Sequence, residues 1–131
     1  MTIHRDVLIP AEPARVYQVL ADAQALSALC GMSGVPAGEA GEAFTAFDGH
    51  VTGRQIELVP GERIVQAWRF PVWASGTYSI VRFTLVLEGE GTRLSIDQDG
   101  VPEDWHEHVY TNWPTFYLDP LATHFRTAVV G

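Results

Sequence analysis

A chain of 131 residues and 14.4 kDa, 47% hydrophobic and 18% charged, is too apolar for intrinsic disorder. At this length it buries roughly 65–70% of its unfolded surface without a disulfide or metal staple. Sixteen acidic residues against eight basic ones give −8 at pH 7, which disfavours phosphate backbones and anionic membrane surfaces as partners.

The eight basic residues are all arginine. No apolar run approaches the roughly 20 residues of a membrane span, and the N-terminus lacks the basic start and apolar stretch of a signal peptide. Cys30 is alone, so no intrachain disulfide forms. The expectation is one cytoplasmic domain over residues 1–131, contacting neither nucleic acid nor membrane.

In chain order, residues 2–9 read as a strand with Ile3, Val7 and Ile9 on one face, ended by Pro10. Pro13 suits the first turn of a helix carrying Val16, Tyr17 and Leu20. Asp22 can cap a second short helix with Leu26 and Leu29, and Gly31 can end it. From Gly41 the period falls to two. Phe44–Phe47 is short and stops at Asp48-Gly49, a hairpin turn signal. His50–Val59 stops at Pro60-Gly61. Glu62–Phe70 puts Ile64, Trp68 and Phe70 on one face and Arg63 and Arg69 on the other, where Arg69 is expected in a surface ion pair. Residues 71–78 read as a loop. Ser79–Glu88 points Val81, Phe83, Leu85 and Leu87 inward. After Gly89-Glu90-Gly91, Thr92–Gln98 turns Leu94 and Ile96 inward.

Beyond Gly100 the spacing becomes helical: Trp113, Phe116, Tyr117, Leu121, Phe125 and Ala128 form one stripe. Acidic Glu103 and Asp104 precede it, and His124 and Arg126 are placed at its end, as a helix dipole favours. Pro120 is expected to kink this helix. A hairpin sheet has one face to bury, and only the long aromatic helix is large enough to cover it.

Three blocks carry a resemblance. Phe47-Asp48-Gly49-His50-Val51-Thr52-Gly53 resembles the segment F-x-D/G-G-x-V-x-G. The run from Leu58-Val59-Pro60 through Ile64-Val65 to Trp68-Arg69 resembles L-V-P-x-x-x-I-V-x-x-W-R. Gly100-Val101-Pro102 and Trp113 to Leu121 resemble the final third of the same family. That family is the Aha-type one, homologues of the activator of the 90-kDa heat-shock protein ATPase, within the START-like, birch-pollen-allergen-like helix-grip (SRPBCC) superfamily. The resemblance implies an α+β helix-grip fold: a curved antiparallel sheet of about six strands around a long C-terminal helix, with two short helices after the first strand. It also implies a cavity between sheet and helix, of the kind that binds lipids, hormones and polyketides in the superfamily. The eukaryotic co-chaperones carry this domain after a separate N-terminal one, which this chain is read as lacking. Local departures from the family pattern are Leu29-Cys30-Gly31, Trp73-Ala74-Ser75-Gly76 and Asn112.

An aromatic-lined cavity with few polar groups is the usual form of a small-molecule site. Trp68, Phe70, Phe83, Trp113, Phe116 and Tyr117 fall on the predicted inner faces, and Trp73 and Tyr78 lie in a loop able to roof the space; the competing reading is that these rings simply fill the core. In Glu103-Asp104-Trp105-His106-Glu107-His108 the histidines are two apart rather than four, so no zinc motif is read and no metal or cofactor is assigned. His50, Glu57, Asp97 and His124 are the titratable groups able to reach a cavity, but no catalytic residue is assigned. The leading expectation is non-catalytic binding of a small apolar molecule. The alternatives are a protein-interaction or co-chaperone-like module acting on a heat-shock ATPase or self-associating, and a small cyclase- or hydrolase-like enzyme.

Overall fold

Period-two alternation builds six strands in the computed structural model, which describes residues 2–29, 31–35, 39–113 and 117–130. β1 (Ile3–Ile9), β2 (Ala43–Ala46), β3 (Val51–Val59), β4 (Arg63–Arg69), β5 (Ser79–Glu88) and β6 (Gly91–Asp99) form one antiparallel sheet in the order β1-β6-β5-β4-β3-β2. β1 closes onto β6, with Ile3 opposite Gln98 and Ile9 opposite Thr92. Ile3, Ile9, Ile64, Trp68, Val81, Phe83, Leu85, Leu94 and Ile96 are buried on the inner face, as their phase requires. Leu87 departs from the expectation: two residues before the β5–β6 turn, it is 62% exposed.

β3 bends at a bulge. Gln55 pairs with Gln66 and Glu57 with Val65, so Ile56 is the extra residue, and Ile56 and Glu57 both face solvent. Gly53 allows the neighbouring strands to close. A Cβ there would stand 2.1 Å from the Ala67 carbonyl oxygen and 2.8 Å from the Phe44 ring. The outer face mixes charge with scattered apolar residues. His4 bridges Asp97 (2.7 Å) and Asp6 (2.9 Å), and those two bonds hold its pKa above the ordinary value.

α1 (Pro13–Leu20) starts on Pro13, whose missing N–H is not needed in a first turn, and buries Val16 and Leu20. α2 (Ala23–Ala28) is capped by the Asp22 carboxylate, which accepts from the N–H groups of Gln24 (2.9 Å) and Ala25 (3.2 Å). The C-terminal region carries a 3₁₀ turn at Glu103–Trp105, α3 (His106–Trp113), the π-helical residues Tyr117 and Leu118, and α4 (Asp119–Val130). Pro120 is the second residue of α4, which directly follows the π-helical Tyr117 and Leu118, so its missing N–H falls where the helical hydrogen-bond pattern is already widened. α4 runs to Val130, which leaves His124 and Arg126 inside the helix and not at its end. Trp113, Tyr117, Leu121 and Phe125 are buried as the helical stripe predicts, in one apolar core with the inner sheet face. Phe116 and Cys30 lie outside the described residues, as do Pro114 and the side chain of Ala128. No helix among the described residues is long and apolar enough to cross a membrane. The architecture is the α+β helix-grip fold.

Candidate functional site: an aromatic cavity beneath α3

The sheet and the C-terminal region border a cavity of about 370 Å³ that is open to solvent along one side. Two periodicities build its walls. β4 sends Trp68 inward, with Phe70 following at the strand's end, and Val51 comes from the start of β3. α3 contributes two adjacent i, i+4 rows, His108 with Asn112 and Val109 with Trp113. Tyr117, Phe47, His50 and Met32 complete the lining.

The indoles of Trp68 and Trp113 stack at 5.1 Å with 26° between their planes. Buried glutamines fix both. The Trp68 Nε1–H donates to Gln66 Oε1 (2.6 Å), the Gln66 amide donates to Gln55 Oε1 (3.0 Å), and the Gln55 amide donates to the Ala21 carbonyl (3.2 Å). The Trp113 Nε1–H donates to Gln98 Oε1 (3.0 Å), the Gln98 amide to Ser79 Oγ (2.8 Å), and the Ser79 hydroxyl to the Trp68 carbonyl (3.1 Å). Gln55, Gln66, Ser79 and Gln98 are all at most 3% exposed. A satisfied buried network of this kind rigidifies what it touches, so the two indoles form a fixed wall.

Tyr117 packs against Trp113 (4.7 Å), Phe83 (5.6 Å), Trp68 and Phe47 (both 5.7 Å). Its ring lines the cavity, but its hydroxyl is sealed from solvent and finds no hydrogen-bond partner among the described residues. Burial pushes this phenol well above the ordinary tyrosine pKa, so it stays protonated.

The rim is held by a tight turn. Phe47 (φ 53°) and Asp48 (φ 58°) are both left-handed, uncommon for a bulky aromatic. The Phe47 N–H donates to buried Ser27 Oγ (2.8 Å). The Asp48 carboxylate accepts from the Ser33 N–H (2.6 Å) and hydroxyl (2.8 Å), and these bonds lower its pKa. Both tethered segments line the cavity, through Met32 on one side and Phe47 and His50 on the other.

Of the residues singled out from sequence, Trp68, Phe70, Trp113 and Tyr117 line this space. Phe83 lies behind it, stacked on Tyr117 and fully buried. Trp73 is displaced to a second cluster, against Phe70 (5.2 Å) and Trp105 (6.3 Å). Tyr78 does not roof the cavity; it is half exposed, beside the Arg69 guanidinium. Phe116 is outside the described residues. Among the described residues Arg69 forms no ion pair. It donates to the carbonyls of Trp73 (2.7 Å), Ala74 and Thr77 (both 3.3 Å), so it shapes the 71–78 loop. The residues that sequence reasoning missed are the glutamines and the rim. Gln66 and Gln98 carried a signal, since each occupies an inward phase, beside Ile64 and Trp68 or Leu94 and Ile96. Among the described residues, no three His, Cys, Asp or Glu side chains converge as a metal site would require.

The profile of the family described as "Activator of Hsp90 ATPase homolog 1-like protein" matches residues 10–126. Activator of 90 kDa heat shock protein ATPase homolog 1 from Homo sapiens is 26% identical over 113 residues, 86% of this chain and 33% of that protein. The chain thus spans about a third of the length of this curated relative. The crystal structure of an HSP90 activator from Plasmodium falciparum superposes with a TM-score of 0.83 at 21% identity, covering 91% of each chain. A protein from Chromobacterium violaceum superposes at 0.77 with 32% identity, covering 95% of this chain and 96% of its own.

Proposed function

We propose that the chain, which belongs to the Activator of Hsp90 ATPase homolog 1-like family, binds a small, largely apolar molecule in the cavity beneath α3 and acts in the cytoplasm without chemistry of its own. One observation carries the reading: an apolar cavity of about 370 Å³ is walled by an indole pair that buried glutamines hold in place. A core selected only for stability has no reason to fix two tryptophans around such a space. Trp68, Phe70, Trp113 and Tyr117 are the contact surface, and Phe83 supports it from behind.

The energetics suit a weak-to-moderate binder. A ligand of about a dozen heavy atoms that hides about 200–300 Å² of apolar surface gains about 5–7 kcal/mol, a Kd between about 0.2 mM and 10 µM. The test is titration with 2-acetylnaphthalene, read by tryptophan emission. Saturable quenching is expected, with loss in the folded variants Val109→Trp and Met32→Trp, whose indoles occupy the space. Linear, unsaturable quenching, or unchanged affinity in both variants, overturns the proposal.

A second reading has its own support. The human relative and the Plasmodium structure are described as activators of the 90-kDa heat-shock protein ATPase or of HSP90. On this reading the chain is a co-chaperone-like module, and adding it to a purified bacterial homologue of that ATPase raises the hydrolysis rate. No change at saturating protein removes it.

A further inference from the structure

We infer that the cavity selects for uncharged ligands, taking an apolar body inside and a neutral hydrogen-bonding group at its rim. This rests on the ligand-binding reading above. Among the described residues the lining contains no arginine, aspartate or glutamate, although 24 of the chain's 131 residues carry formal charge (8 Arg plus 16 Asp and Glu). Six of the eight arginines are engaged elsewhere, and Arg15 and Arg126 lie outside the lining. Arg63, Arg82 and Arg93 pair with carboxylates, while Arg5, Arg54 and Arg69 donate to main-chain carbonyls. With no lysine in the chain, a carboxylate or phosphate drawn into the cavity meets no permanent positive charge. An ammonium group likewise meets no carboxylate there. Its alternative is the face of an aromatic ring such as Phe47 or Phe70, neither of which is stacked face to face, and that contact is weaker than the hydration an ammonium gives up on entering. Moving a charge without a partner into such a site is strongly unfavourable, whereas a neutral carbonyl, hydroxyl or amide needs only one hydrogen bond.

The rim supplies that bond. His50 and His108 are the exposed members of the lining, and Asn112 is half-buried beside them, its amide nitrogen 3.0 Å from His108 Nε2. Both ring nitrogens of His108 lie near the Asn112 amide nitrogen (3.0 and 3.3 Å), but an imidazole accepts at no more than one of them, so Asn112 keeps its carbonyl oxygen and a second N–H for a ligand's donor or acceptor.

The experiment uses four naphthalenes with one body and different heads, at pH 8 and 0.15 M salt: 2-acetylnaphthalene, 2-naphthoate, 2-(aminomethyl)naphthalene and 2-ethylnaphthalene. The ketone is expected to bind at least about tenfold more tightly than the carboxylate or the amine, and about three- to tenfold more tightly than the hydrocarbon, the range of one neutral hydrogen bond. Asn112→Leu and His108→Phe should each shrink the ratio of ketone to hydrocarbon affinity, with both probes measured in the same variant. Carboxylate or amine affinity equal to the ketone's overturns the selectivity. A ketone no better than the hydrocarbon overturns the role of the rim. Failure of all four probes, the hydrocarbon included, overturns the ligand-binding reading itself.

Discussion

Replacing Tyr117 with phenylalanine should stabilise the protein. The ring is 3% exposed and touches four aromatic neighbours, all of which phenylalanine retains. The hydroxyl contributes nothing to that packing and has no hydrogen-bond partner among the described residues. A buried polar group left unpaired costs about 1–3 kcal/mol. Deleting one oxygen leaves a void of roughly 10–20 Å³, a penalty of about 0.2–0.5 kcal/mol. The net gain is therefore about 1–2 kcal/mol, or roughly 3–8 °C in melting temperature for a domain of this size. Guanidinium unfolding should show a higher midpoint with an unchanged slope. The gain should widen in alkali. Burial raises the folded-state pKa of this phenol, so its share of wild-type stability is intact below the unfolded value of about 10 and is lost as pH climbs from there towards the folded value. The Phe variant lacks that loss. Destabilisation of more than about 0.5 kcal/mol, or parallel stability profiles above pH 10, would refute the reasoning by showing that the hydroxyl is well paired.

Gly53→Ala should cost about 3 kcal/mol or more in a thermal melt, because its Cβ meets main chain at 2.1 Å and the β3–β4 pair must separate; a loss below 1 kcal/mol would show that the strands yield easily. Gln98→Leu removes the acceptor of the Trp113 Nε1–H, with an expected cost of about 1–3 kcal/mol and a changed near-ultraviolet signal from the stacked indoles. An unaltered spectrum would mean that the glutamine does not hold the wall. Asp48→Ala removes both side-chain bonds of the rim tether, whereas Ser33→Ala removes only the hydroxyl's, so amide exchange at Phe47 to His50 should accelerate at least tenfold in the first and less in the second. Unchanged protection in Asp48→Ala would assign the turn's rigidity to Ser27 and to the main-chain bond from the Asp48 N–H to the Ser33 carbonyl. For Asp48, the pKa is lowered, so the tether persists in mild acid and fails only as pH falls below the ordinary carboxylate range.

Strand phase and turn chemistry were legible because they are local. The alternation of Ile64, Trp68, Val81, Phe83, Leu94 and Ile96 assigns inner faces without any tertiary knowledge. The proline, aspartate and glycine signals around α1 and α2 fall where helices begin and end. Trp68, Phe70, Trp113 and Tyr117 were found for the same reason: periodicity says which way a side chain points. It does not say how far along the sheet the helical cover extends, so Leu87 was placed inside and is exposed. Nor does it say where a loop folds back. Trp73 and Tyr78 were set over the cavity, but Arg69 gathers the 71–78 loop to itself and carries both away. The rim is the least legible part, since Met32, Phe47 and His50 meet only through tethers between distant segments, and no spacing within one element encodes them.

Four tryptophans offer the most direct test. In the nitrogen-15 spectrum of the whole chain, adding 2-acetylnaphthalene should shift the indole N–H signals of Trp68 and Trp113, which wall the cavity. Those of Trp73 and Trp105, clustered beyond Phe70, should move much less. Signals of Trp68 and Trp113 that stay fixed at saturating probe, or shifts confined to outer-face residues such as Ile80 and Val86, would contradict the account.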